Sequence, residues 1–469
     1  MTVHAWDRGL ATQRVVAVPA VAPTRAEAVG GAGDLVGRVL ELQRLAGNRA
    51  VRSALASVQR APGDDKRAAP PPPDVIAGAD PAAPKHVTGF VGLNPGATRE
   101  AAGLKKASKQ EVLTSFNDPA MEKQLQEDPA IGEFITKELG WGPSDLVRVM
   151  NAMLMFKAAD KNFREQLAEL MRWMNRAEKG QLIIDRLVMS GHSDGVRLWG
   201  ESQEADESKP GIMVVDRDLG GLARLFPKAA AQVQDIMFSA CFSINAVEIV
   251  KKAFPNLQSV WSYGGYSPSA DQGSVGHIAT WAGATEGART PTKGEKRGSN
   301  ALWTREKGFI VGDPAQAAAG PLLAEVSRGG RELVAPYYFG EHEVDRAVLD
   351  SFYTKLQEVE AHPGVRREVK ENVTTHVIPI VLRLRHWKQI AKRFGETFGD
   401  RLKPAYDALG VAPPNWETLT RTQLKRHLEA IDKAFETHPA AAQYKGLIDD
   451  PLKKGLFKLD SEIIKPNWI

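Results

Sequence analysis

The chain has 469 residues, enough for two or three domains with cores of their own. Hydrophobic residues are 43% and charged residues 25%, a globular balance, and a net charge of +4 is too small at this length to argue for nucleic acid or an anionic membrane surface. A single cysteine, Cys241, excludes an internal disulfide framework and a cysteine-rich metal site, and fits a reducing compartment. No stretch approaches the roughly 18–20 uninterrupted apolar residues of a membrane span. Val15-Val16-Ala17-Val18 is broken by Pro19 and Pro23, so no secretory signal is expected.

Residues 1–30 are rich in Ala, Val and Gly without periodicity and are expected to be disordered. Asp34 reads as an N-cap, with Leu35, Val39, Leu42 and Leu45 following at helical spacing. Gly47-Asn48 interrupts, and Ala50, Val51, Ala54, Leu55 and Val58 make a second apolar face, so an N-terminal helical hairpin is expected over 35–60. It lacks the dense basic face of a DNA-recognition helix pair. Residues 61–86 hold Pro70-Pro71-Pro72-Pro73 among many alanines, a composition for an extended tether. Residues 87–180 read as a largely helical lead-in. A strand is expected at 87–91, short helices at 109–116, 121–126 and 131–139, then helices at 146–158 and 161–176.

Residues 181–305 read as an α/β core. Leu182-Ile183-Ile184-Asp185-Arg186-Leu187-Val188-Met189-Ser190 has the length and composition of a buried strand, and Gly191-His192 follows it. A short β-arm at 195–200, a polar loop at 201–209, a strand at 212–215 and a crossover helix at 219–225 come next. Val233 to Ser239 is a second buried strand, ending at Ala240-Cys241, with a helix expected at 244–253. Strands are expected at 259–263 and 278–281, and a polar loop at 289–305. Residues 306–469 read as a C-terminal helical domain, with helices at 344–360, 366–378, 381–394, 402–409 and 420–436. The basic residues of 381–394 read as a solvated face.

Two resemblances bear on function. Leu42-Gln43-Arg44-Leu45-Ala46-Gly47-Asn48-Arg49-Ala50-Val51, closing with Val58-Gln59-Arg60, resembles a short N-terminal segment of bacterial proteins associated with extracellular contractile injection systems. That resemblance implies a cargo made in a bacterial cytoplasm and loaded into a phage-tail-like particle through residues 31–60. Ser190-Gly191-His192 and Ser239-Ala240-Cys241, each closing a hydrophobic strand, resemble the caspase-like cysteine peptidases. His192 lies about 50 positions upstream of the cysteine, the caspase spacing. The resemblance implies a caspase-like, mostly parallel sheet with flanking helices, and an endopeptidase cutting protein substrates without metal or cofactor.

His192 and Cys241 are the expected catalytic dyad. An imidazole beside a thiol generates or stabilises the thiolate and then protonates the leaving amine. The helix expected after Cys241 would turn its positive end toward the sulfur. Backbone N–H groups at Ser193 and Cys241 are the expected oxyanion donors. The chain departs from the family twice. Ser193 follows the histidine where glycine is usual, and Ser239 stands where caspases carry Gln and metacaspases an acid. The specificity pocket therefore does not transfer. Asp194, Ser239, Trp261, Tyr263, Asp271 and Glu286 are its candidate residues, the last two acids for basic substrate side chains. Asp194 also fits a plain turn, and Asp271 and Glu286 plain loop acids. The loops 201–209 and 290–299 are the expected places for self-cleavage.

Two other readings compete. Gly191-His192-Ser193-Asp194-Gly195 matches Gly-x-Ser-x-Gly, the nucleophile elbow of α/β-hydrolases, with Ser193 as nucleophile and His277 or a later histidine as base. That elbow must feed a helix, whereas Val196 to Trp199 reads as a strand. In the other reading the fold is an inactive adaptor and Cys241 is inert.

Overall fold

The structure, a computed structural model, describes residues 84–94, 96–116, 125, 127–200, 211–270, 273–286, 300–334 and 345–444. The 35–60 hairpin, the tether as far as residue 83, most of 121–126, both loops expected for self-cleavage and Asp271 lie outside them, while Lys85 and His86 at the tether's end open a strand. The described residues fall into two compact units divided at Pro321 and Leu322.

The first unit begins β1 (Lys85–Gly92), α1 (Ala97–Ala107), β2 (Glu111–Phe116), α2 (Asp128–Glu133), α3 (Leu146–Ala158), α4 (Arg164–Glu178) and β3 (Leu182–Ser190). It continues through β4 (His192–Ser193), β5 (Arg197–Trp199), β6 (Ile212–Val214), α5 (Gly220–Leu225), α6 (Pro227–Ala230), β7 (Asp235–Ser239) and α7 (Val247–Ala253). It closes with β8 (Ser259–Tyr263), α8 (Ser274–Thr285), β9 (Asn300–Thr304), β10 (Gly308–Val311) and α9 (Pro314–Gly329), the helix within which the division falls.

Among the described residues the main sheet has seven strands in the order β10-β9-β8-β7-β3-β1-β2. The five from β8 to β2 run parallel; β9 and β10 add an antiparallel edge. The fold is thus α/β, with a mostly parallel sheet and flanking helices. Strands buried on both faces read as near-continuous apolar runs, which is why β7 and β3, the latter broken only by Asp185-Arg186, stand out in the sequence. Successive residues still serve opposite faces. Phe90, Val188, Met237, Trp261 and Leu302 join Ala97, Ala101 and Leu104 of α1 and Ile278, Trp281 and Ala282 of α8 in one core. On the other face the site of a Cβ at Gly89 lies 3.3 Å from Trp173 of α4. Burying a side chain such as Phe90 contributes about 1.5–3 kcal/mol.

Three expectations are overturned here. Residues 109–116 are not a helix: 111–116 form β2, paired in parallel with β1 from Val87↔Glu111 to Gly92↔Phe116. Val112, Thr114 and Phe116 suit that edge, and the pairing overrides the helix-forming Lys, Gln and Glu around them. Residues 278–281 are not a strand but part of α8. The buried set Ser274, Ile278, Trp281, Ala282 and Thr285 has helical spacing, visible only in a window longer than four residues. Residues 289–305 are not all loop, because Asn300–Thr304 pairs with β8 as an antiparallel strand. The sheet therefore draws two strands from before residue 181 and one from after 305.

The second unit contains α10 (Arg346–Ala361), α11 (Arg367–Asn372), α12 (Ile378–Leu409) and α13 (Arg421–Thr437). Trp387, Ile390, Phe394, Leu402 and Tyr406 of α12 pack with Leu424, Leu428, Ile431 and Phe435 of α13. The helices expected at 381–394 and 402–409 are one continuous helix. Gly395 does not stop it; the glycine makes room for Trp416, which would stand 2.3 Å from a Cβ there. No described helix is long and apolar enough to cross a membrane.

Candidate functional site

The site forms where β3 and β7 end side by side. Their ladder runs in parallel to a last pair, Ser190↔Ser239, and the Gly191 amide donates to Ser239 O at 3.3 Å. His192 and Cys241 each stand two residues beyond that pair. Neighbouring strands lie about 4.8 Å apart, so the two side chains emerge from adjacent strand ends. Both residues are half-buried, neither sealed in the core nor fully in water. Ligand sites of open α/β sheets lie at this carboxyl edge.

Beyond Ser190 the chain leaves the main sheet. His192 and Ser193 pair with Trp199 and Leu198 in a small antiparallel sheet of β4, β5 and β6. Gly191 makes this exit possible: a Cβ there would lie 2.9 Å from Trp199 O and 3.2 Å from Leu93 Cβ. The Trp199 ring lies 6.4 Å from the imidazole, centre to centre. Ser193 is buried, and its hydroxyl accepts from the Gly195 amide at 2.8 Å. Asp194 accepts from the amides of Val196 and Arg197 at 3.2 and 3.0 Å and from Arg197 Nε at 2.7 Å. It builds the β4–β5 turn, the plainer of the two roles open to it. Directly after Ser193 the chain turns into β5 rather than a helix, so the strand–turn–helix elbow is not formed.

After Cys241, Phe242 takes a left-handed backbone, φ 55°, the only non-glycine positive φ among the described residues. Such a conformation costs about 1–3 kcal/mol and is held by its surroundings. The Phe242 amide donates to Gly265 O at 2.7 Å, and its ring meets Tyr266 at 4.9 Å. Ser243 Oγ donates to Ala240 O at 2.7 Å and accepts from the Tyr263 amide at 3.2 Å. A single 3-10 turn over Ser243–Ala246 runs on into α7 at Val247, so the helical segment starts two residues past Cys241, close to the expected 244–253. The Ser267 amide donates to Cys241 Sγ at 3.4 Å, with Ser267 Oγ at 3.6 Å. Sequence reasoning missed Ser267, which lies in a loop without any motif.

The candidate pocket residues do not gather. Trp261 is a core residue. Tyr263 is buried, with its hydroxyl 2.8 Å from His277 Nδ1. Its pKa is raised by burial first, then by Glu100 and Cys241. Glu286 lies far down the sheet, 3.6 Å from Arg186, and accepts from Ser108 Oγ at 3.3 Å and from the Lys109 amide. Ser239 is buried, and its hydroxyl donates to Glu100 Oε1 at 3.0 Å. Glu100, on α1, was also missed: an acid inside a helix carries no sign of what lies beneath it. Among the described residues no three His, Cys, Asp or Glu side chains gather as a metal-ion set.

Compared with models of known protein families, with curated proteins and with solved structures, the chain matches none.

Proposed function

We propose that this chain is a cysteine endopeptidase of the caspase-like class, with His192 and Cys241 as its catalytic dyad. One observation carries the reading: the Ser190↔Ser239 pairing, which brings the two residues out in register from adjacent strand ends. The thiolate of Cys241 attacks the scissile carbonyl carbon. The C–N bond breaks as His192 gives its proton to the leaving amine. Water then attacks the thioester, releasing a carboxylic acid and restoring the thiol. Ser267, through its amide and hydroxyl, supports the anionic sulfur. A serine hydrolase is disfavoured because the Ser193 hydroxyl is buried and bonded to the Gly195 amide.

The biological setting rests on the N-terminal resemblance. In this reading the chain is a toxin or effector, with residues 31–60 as its address for a contractile injection particle and 61–86 as the tether. Expressing wild type, Cys241→Ala and His192→Ala inside a susceptible cell tests the enzyme. Toxicity and new protein fragments should vanish with either substitution; identical behaviour of all three would move the inactive adaptor forward. Deleting residues 1–60 should abolish particle loading and spare peptidase activity; unchanged loading contradicts the address.

A further inference from the structure

Glu100 is buried, with 4% of its surface exposed, in the first turn of α1. Three hydroxyls converge on its carboxylate. Ser190 donates to Oε2, while Ser239, at 3.0 Å, and Ser274 donate to Oε1. Among the described residues no Lys, Arg or His pairs with it. The three serines are themselves buried and come from three elements: the last residues of β3 and β7 and the first of α8. A carboxylate accepts only, and its two oxygens offer about four lone-pair sites, enough to satisfy all three donors. Hydrogen bonds to a charged acceptor are about twice as strong as neutral ones.

The placement matters more than the count. Ser190 and Ser239 are the last ladder pair, and each stands two residues before one member of the dyad. Beyond them the strands part, one chain entering the small sheet and the other the Phe242 turn. Among the described residues the last backbone link between the two chains is the Gly191 amide to Ser239 O at 3.3 Å. At that point the carboxylate adds a side-chain link, with Oε2 on Ser190 and Oε1 on Ser239. α1 is in turn fixed against α8, where a Cβ at Gly103 would stand 2.5 Å from Val275 Cγ1.

We infer that Glu100 is a positioning residue, clamping the ends of β3 and β7 at the fork and so setting the separation of His192 and Cys241. The inference rests on the dyad reading. It also accounts for Ser239 at a position where the resembled families carry Gln or an acid: here the carboxylate comes from α1 and the strand supplies its donor.

The test is alkylation of Cys241 by iodoacetamide in the full chain, followed by intact mass between about pH 5 and about pH 9. The variants are His192→Ala, Glu100→Gln and Ser239→Ala. The wild-type profile should carry an inflection that His192→Ala removes. Glu100→Gln should move the profile toward that of His192→Ala. It should also lower kcat on a peptide substrate roughly 10- to 100-fold with KM little changed, the scale of a misplaced catalytic pair. Ser239→Ala should move the profile the same way by a smaller amount, and serves if Glu100→Gln is not recovered folded. Wild-type profiles in Glu100→Gln, or in Ser239→Ala where only that variant folds, overturn the clamp while leaving the dyad standing. Identical profiles for wild type and His192→Ala overturn the dyad and the clamp together. A loss confined to KM with unchanged alkylation overturns the clamp and assigns Glu100 to substrate binding.

Discussion

In the N-terminal halves of the central strands, charged groups meet polar or oppositely charged partners. His86 Nδ1 lies 2.8 Å from Asp185 Oδ2, and Gln110 donates to the same oxygen at 3.0 Å. The fully buried Arg186 donates to Gln110, Ser108, Thr285 and Ala282 O, faces Glu286 at 3.6 Å and lies over the Trp281 ring. At the C-terminal ends of the same strands the construction differs. A buried carboxylate is met by hydroxyls alone, and the half-buried imidazole and thiol stand beyond it. Buried charges repay their desolvation only with good geometry and added hydrogen bonds, and removing one partner leaves the other uncompensated. A half-buried thiol and imidazole contribute little to stability; in the proposed reading their arrangement is what acyl transfer uses. One end of the sheet holds buried charges that depend on their partners; the other, in the proposed reading, carries the chemistry.

The largest effect that would break this contrast lies at the charged end. Arg186→Met should cost about 3–5 kcal/mol in urea unfolding, because Glu286 and Asp185 lose their buried cation. Cys241 alkylation per folded molecule should stay unchanged. A cost below about 1 kcal/mol would mean that the network is not structural.

The next effect is a pH dependence at the same end. Burial pushes the Asp235 carboxyl up to about 6, against a lowering by the Ser259 hydroxyl and by Arg186. The folded state then binds this proton more tightly than the unfolded one. Stability from this group is therefore greatest at low pH and declines as pH rises from about 4 to about 6, by on the order of 2–3 kcal/mol. Asp235→Asn keeps an acceptor for Ser259 and removes the titration. Unfolding midpoints across that window should show the variant gaining on wild type by a similar amount. Parallel curves would show that Asp235 does not titrate there.

The smallest effect sharpens the other end. Ser193→Ala removes the acceptor for the Gly195 amide, at a cost of about 1 kcal/mol, and should keep peptidase activity within a few-fold. Complete loss of activity with a normal unfolding midpoint would instead make Ser193 a participant in the reaction.

The contrast also explains what could be read from the sequence. That His192 and Cys241 follow adjacent strand ends was legible because each comes after a largely apolar run, and buried parallel strands advertise themselves that way. The arm after His192 was legible from the Val196–Trp199 alternation. Glu100 was not, because its partners Ser190 and Ser239 lie 90 and 139 residues away and a helix acid reads as a surface residue. Glu286 was misread for the same reason in reverse: a polar neighbourhood hid a partner, Arg186, on the far side of the core. β2 and α8 exchanged their expected types because pairing with β1 and packing against α1 outweighed local propensity.

The most direct test of the central claim uses the purified full chain and a mixture of denatured proteins, with new peptide N-termini identified by mass spectrometry for wild type and Cys241→Ala. The account predicts new termini with wild type, sharing a common residue before the cut, and none with Cys241→Ala. Equal cleavage by both proteins, or none by either, would contradict it.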